Sequence, residues 1–152
     1  MTTYESSIHI ISSPEEEIFN LVSDLSNLQK LRDVNIAEAE QIGNKLKDIQ
    51  FEKDLLSFRV DGFGKMSMRI VEREPFKTIK FAGENTPISV NFWIQLKQVA
   101  ESDTRMKLTL KADIPTMFKM MIDKRLKEGI NTMADVIAKA VTLMSSVSQE
   151  EH

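Results

Sequence analysis

Ser89-Val90-Asn91-Phe92-Trp93-Ile94-Gln95-Leu96-Lys97-Gln98, followed after a polar turn by Thr104-Arg105-Met106-Lys107-Leu108-Thr109-Leu110-Lys111-Ala112, is the stretch on which the fold turns. Apolar and polar side chains alternate along both segments with a period of two. That period puts Val90, Phe92, Ile94, Leu96, Met106, Leu108 and Leu110 on one side of extended chain, and Asn91, Gln95, Lys107, Thr109 and Lys111 on the other. Strands of this kind build a sheet that is dry on one face and wet on the other, which is the antiparallel pattern. Glu101-Ser102-Asp103 between them has the residue types of a hairpin turn.

Upstream, the same period continues back to Ile49. Strands are predicted over Ile49 to Glu52, Ser57 to Val60, Lys65 to Arg73 and Thr78 to Ala82. Phe58, Val60, Met66, Met68, Ile70, Ile79 and Phe81 fall on the dry side, and Ser67 and Arg69 on the wet side. Asp61-Gly62-Phe63-Gly64, Glu74-Pro75-Phe76-Lys77 and Glu84-Asn85-Thr86-Pro87 supply the turns. Gly62-Phe63-Gly64 begins like a dinucleotide fingerprint, but the third glycine is missing and the segment joins two strands, so it reads as a hairpin.

Downstream, the period changes to that of a helix. From Thr116 to Met144 the residues Ile122, Leu126, Ile130, Met133, Ile137, Val141 and Met144 recur at steps of three or four, with Lys119, Asp123, Lys127, Glu128, Asn131, Asp135 and Lys139 opposite. A helix with so long an apolar stripe needs a large apolar partner, and the dry face of the sheet is the one available. Before the sheet, an alternation over Ser6 to Ile11 predicts a first strand, with His9 facing solvent. Ser13 as N-cap, Pro14 at the first helical position and Glu16 three residues after the cap then predict a helix whose apolar face is Ile18, Phe19 and Val22. A second short helix is expected over Leu25 to Leu31, and Asn35 to Lys47 allows another, ended by Gly43-Asn44.

Composition bounds the function classes. The chain has 152 residues, 41% hydrophobic and 28% charged, with a net charge of -3 and no cysteine. One globular domain over residues 1–145 is expected, with 146–152 as a polar tail. The charge balance gives no reason to expect a nucleic-acid partner, and no apolar run approaches the roughly 20 residues that span a bilayer, so stable membrane insertion is not expected. The absence of cysteine excludes disulfides and thiol chemistry and agrees with a cytoplasmic location.

The order strand, two short helices, antiparallel strands, long C-terminal helix resembles the START-like (SRPBCC) helix-grip superfamily, and most of all its small bacterial polyketide cyclase/dehydrase-like members. The stretches carrying the resemblance are Ile8-His9-Ile10-Ile11-Ser12-Ser13-Pro14-Glu15-Glu16-Glu17-Ile18-Phe19, Arg69-Ile70-Val71-Glu72-Arg73-Glu74-Pro75, and the helix after Pro115. It implies an α+β fold in which a curved antiparallel sheet of about six or seven strands wraps the last helix, with a cavity between them. It does not imply one activity, because such a fold serves binders, transfer proteins and enzymes.

The expected ligand site takes Phe58, Met66, Met68, Ile70, Phe81, Phe92 and Ile94 from the sheet. The helix adds Ile122 and Leu126 in the wall, Phe118 and Met121 at the rim, and Arg125 to hold a carboxylate or phosphate head group. Nine methionines, several on inward faces, suit a pliant lining, although filling core is the commoner use of any one of them. Arg125 has the alternative of a surface arginine burying only its stem. Glu72, if it continues the Met66, Met68, Ile70 side, would be an inward acid or base; pairing with an arginine at the strand end is the commoner fate of such a residue. Phe63 and Phe76 are rim aromatics or staples over the core. Trp93, on the wet face, stacks locally against an arginine such as Arg69 or Arg73, or else forms a homodimer contact. Lys119, Lys124, Arg125 and Lys127 form a basic cluster that could touch an anionic membrane, but Asp123 and Glu128 among them favour an ordinary solvated face. With only His9 and His152, a histidine triad or metal site is not expected, and no catalytic residue, cofactor or metal is assigned. Binding or transport of a lipid-like or aromatic molecule is therefore the first expectation. A cyclase- or hydrolase-like enzyme using the same pocket is the second, and an interaction domain with a collapsed cavity the third.

Overall fold

The computed structural model describes residues 1–30, 49–60 and 64–150. Its strands are β1 (Thr2–Glu5), β2 (His9–Ile11), β3 (Gln50–Phe51), β4 (Leu55–Val60), β5 (Gly64–Glu74), β6 (Thr78–Glu84), β7 (Val90–Ala100) and β8 (Asp103–Ala112). Helices α1 (Glu15–Val22) and α2 (Ser26–Lys30) follow β2, and a long helix, α3 (Thr116–Glu150), follows β8. The strands form one curved antiparallel sheet in the order β1-β8-β7-β6-β5-β4-β3, with β2 also paired to β8. This is the expected α+β helix-grip architecture. The segment Asn35 to Lys47, Phe63 and Leu31 lie outside the described residues.

The strand count exceeds the expectation because β1 lies ahead of the expected first strand, Ser6 to Ile11, of which only His9–Ile11 is strand. Glu5 is opposite Thr109, yet His9 is opposite Met106, so one residue more is used on the N-terminal side than on β8. Ser6 fills the gap, donating its amide to the Leu108 carbonyl at 2.9 Å while its hydroxyl accepts the Leu108 amide at 2.9 Å. A one-residue slip exchanges the two faces of a strand. Tyr4 and Ile11 are accordingly both buried, whereas Ile8 and Ile10 are 63% and 61% exposed. His9, expected toward solvent, instead shares the inner face with Met106 and is half-buried, its Nδ1 3.1 Å from the Ser7 carbonyl.

Helix α1 also begins differently. Pro14 is the capping residue and no side chain caps the helix, so the Ser13–Glu16 capping box is not formed. Ser13 is buried, and its carbonyl accepts the Thr104 hydroxyl at 2.6 Å. The carboxylate that matters is Glu15: it accepts the Gln98 amide at 3.0 Å and the Lys77 ammonium at 2.8 Å, while its own amide donates to Gln98 Oε1 at 2.9 Å. The hydrogen bond from Lys77 holds the Glu15 carboxyl below its usual range. Ile18, Phe19 and Val22 face the core as expected. Phe76, at a left-handed backbone position (φ 67°), lays its ring edge-on to Phe19 with centroids 5.7 Å apart, so it is a staple over α1.

Helix α3 packs on β8, β1 and β2. Ile130, Ala134, Ile137, Ala140 and Val141 are buried against the sheet, and the core is completed by Met68, Ile70, Ile79, Phe81, Ile94, Leu96, Met106 and Leu108. The helix continues to Glu150, into the stretch 146–152 that the sequence reads as tail.

A cavity between the sheet and the N-terminal half of the long helix

The N-terminal half of α3 lies over a half-open cavity of about 920 Å³ between it and the sheet. Apolar side chains make most of its wall. Phe58, Met66 and Met68 come from the β4–β5 hairpin and Ile122 and Leu126 from α3, with Val90, Leu110 and Ile114 behind. Phe58 is opposite Met66 across the hairpin and Leu56 opposite Met68, so one face of two paired strands supplies this wall. Thr86 and Pro87 form one corner. It is fixed by the Thr86 hydroxyl donating to the Ile88 carbonyl at 2.7 Å and by close approach to Gly83, where a Cβ would come within 2.6 Å of the Thr86 hydroxyl oxygen. Gln50, Ser57, Arg59, Lys65 and Arg125 are the remaining polar lining.

The cavity brings together half of the side chains expected at a ligand site. Phe58, Met66, Met68, Ile122, Arg125 and Leu126 line it. Ile70, Phe81 and Ile94 are instead buried core, and Phe92 packs on Phe81 with ring centroids 5.4 Å apart. Phe118 and Met121, 38% and 72% exposed, do not line the cavity. Alternation identifies a face of the sheet; it does not say where along that face the helix departs from it.

Glu72 is not inward. Ile70 is opposite Phe81 but Glu72 is opposite Lys80, so Val71 is an extra residue, and past this bulge the odd and even positions exchange faces. Glu72 is exposed, and the acid–base role that required an inward carboxylate goes with it. Trp93 stacks locally, though between lysines where arginines were expected: the ammonium groups of Lys80 and Lys111 are each 5.6 Å from its ring centroid. Arg69 engages Glu84, and Arg73 engages Asp54 and the Ser23 carbonyl. On the basic stretch of α3, Lys127 pairs with Asp123 at 3.1 Å and Lys124 with Glu128 at 4.0 Å, as on an ordinary solvated face.

One polar contact ties this half of α3 to the sheet. The Tyr4 hydroxyl donates to Asp123 at 2.7 Å. Burial pushes the Tyr4 hydroxyl up to about 12, assisted by its hydrogen bond to Asp123, and that same hydrogen bond holds the Asp123 carboxyl below its usual range. Arg59 and Lys65, which sequence reasoning passed over, flank the β4–β5 turn opposite one another. Two cations facing each other around a hairpin was the available signal.

No protein-family model matches the chain, and neither does any curated protein. Solved structures do. Norcoclaurine synthase from Thalictrum flavum, in complex with dopamine and hydroxybenzaldehyde, superposes with a TM-score of 0.66 at 12% identity over 93% of this chain and 86% of that one. A START superfamily protein from Mycobacterium smegmatis gives 0.63 at 11% identity, covering 93% of this chain and 98% of that one. The chain has the START-like helix-grip fold. The di-domain ARO/CYC protein BexL of the BE-7585A biosynthetic pathway matches with a TM-score of 0.63 at 14% identity, over 95% of this chain and 48% of that one. Among the described residues no helix is long and apolar enough to cross a membrane.

Proposed function

We propose that the chain binds and passes on a hydrophobic small molecule, lipid-like or aromatic, held between the β4–β5 hairpin and the N-terminal half of α3. The cavity carries this reading. Its volume, about 920 Å³, falls within the range of sites that take drug- or fatty-acid-sized ligands, and its wall is mostly aliphatic, methionine and phenylalanine. Burial of apolar ligand surface would contribute about 2.5 kcal/mol for every 100 Å² removed from water, before the cost of association. Met66 and Met68 can repack around guests of different outline. We assign the carrier to the cytoplasm. A reaction in the same cavity is less well supported: among the described lining residues there is no histidine, tyrosine or carboxylate to make a proton-transfer pair.

The test is native mass spectrometry of the purified 152-residue chain, compared before and after denaturation. A co-purifying apolar mass of a few hundred daltons is expected. Met68→Arg should remove it by placing a guanidinium in the wall, and Leu126→Phe should remove it by filling the space while preserving an apolar surface. Full occupancy in both variants, with circular dichroism showing both folded, would exclude this cavity as the site.

A further inference from the structure

The arginines of the chain divide by location. Away from the cavity, each described arginine engages a carboxylate: Arg69 with Glu84, Arg73 with Asp54, and Arg105 with Asp103. The side chains of the two that line the cavity, Arg59 and Arg125, make no ion pair or hydrogen bond among the described residues, and neither does that of Lys65, opposite Arg59. No carboxylate is among the described lining residues. Resting on the carrier reading, we infer that the cargo is an anionic amphiphile, its apolar part against Phe58, Met66 and Met68 and its negatively charged head group at the mouth against Arg59, Lys65 and Arg125.

The backbone places two of these cations side by side, and the third lines the same cavity. Arg59 and Lys65 are direct cross-strand partners at the end of the β4–β5 hairpin. Directly opposed side chains have Cβ atoms about 5 Å apart, and like charges so placed repel one another. Alternation puts the pair on the opposite side of the hairpin from Phe58 and Met66, so it meets the cavity at its rim, in water. Arg125 approaches the same cavity from α3, adjacent in sequence to the wall residue Leu126. An anion placed there relieves the Arg59–Lys65 repulsion and accepts charge-assisted hydrogen bonds, bidentate from either guanidinium. A neutral guest carries no charge to relieve the repulsion and can at most accept a single hydrogen bond through a carbonyl oxygen. The low-dielectric wall on one side strengthens the attraction relative to open solvent. Carboxylate and phosphate head groups satisfy the same chemistry.

Calorimetric titration of the 152-residue chain distinguishes the outcomes, using dodecanoate, dodecyl phosphate and methyl dodecanoate, each below its aggregation concentration. Both anions are expected to bind at least about tenfold more tightly than the ester, the scale of one or two charge-assisted hydrogen bonds. The triple variant Arg59→Gln, Lys65→Gln, Arg125→Gln should abolish the preference, bringing the ratio of anion to ester affinity to about one; all three side chains are exposed, and circular dichroism checks the fold. The preference should also shrink as salt is raised. A tighter phosphate points to a phospholipid-like cargo and a tighter carboxylate to a fatty acid, and either supports the inference. Equal affinity for ester and anions, or a preference that survives in the triple variant, overturns it while the carrier stands. Binding of none of the three overturns both.

Discussion

The two halves of α3 share one sequence pattern and have opposite fates. From Ile130 to Leu143, seven apolar side chains are buried, among them Ala134 and Ala140 at 0% exposure, where small residues let helix and sheet approach closely. From Thr116 to Gly129 none is buried, and Met117 and Met120 are 80% and 92% exposed. The C-terminal half is core; the N-terminal half is the roof of a cavity. A continuous stripe of apolar residues therefore does not imply continuous contact, because what it meets depends on where the curved sheet turns away.

The sharpest way to break this comparison is to shorten one wall residue in each half. Ile137→Ala should cost about 2–5 kcal/mol in denaturant unfolding, the usual range for a buried aliphatic side chain whose surroundings cannot collapse. Leu126→Ala should cost under about 1 kcal/mol, because one side of Leu126 already faces a void, yet it should weaken binding of an apolar probe. Equal losses of stability would mean that the N-terminal half is packed after all.

The Tyr4–Asp123 bond probes the attachment of the roof. Tyr4 titrates at about 12 in the folded chain against 10.0 for an ordinary tyrosine. Its contribution is therefore fully present below pH 10 and is lost as pH rises toward 12, since the unfolded chain gives up this proton first. Asp123 is shifted the other way, so its contribution is present above the ordinary carboxylate range and is lost on acidification through its lowered folded value. Tyr4→Phe should flatten both limbs of a stability-against-pH curve, with a loss at pH 7 smaller than that of Ile137→Ala. An unchanged alkaline limb would dissociate Tyr4 from alkaline unfolding.

The smallest effect is expected at the junction. Gly129 lies between the two halves, and a Cβ built there meets nothing within 4 Å. Gly129→Ala should therefore stabilise the chain by about 0.5–1 kcal/mol through helix propensity. Destabilisation would show that the two halves need a pliant joint.

Much of this could be read from the sequence. The dry faces of β6, β7 and β8 were identified by period two, and the α3 stripe by its helical spacing, because long regular elements repeat their signal many times. The failures fall where one residue is inserted: at Ser6 to Ile8, which turned Ile8 and Ile10 outward and His9 inward, and at Val71, which turned Glu72 outward. A bulge leaves the composition of a strand unaltered and reverses its phase, so alternation alone cannot locate it. The site divided for a related reason. Met68 and Ile70 share one face of one strand, but only Met68 meets the void. Arg59 and Lys65 escaped notice because a polar pair beside a turn is usually solvated surface.

Trp93, the single tryptophan of the chain, is on the outer face of the sheet between two ammonium groups, while the cavity opens on the other face. Intrinsic fluorescence should thus respond to disruption of the β6–β7–β8 ladder and remain nearly silent when the cavity fills, which gives unfolding and ligand occupancy separate optical readouts in one unlabelled sample.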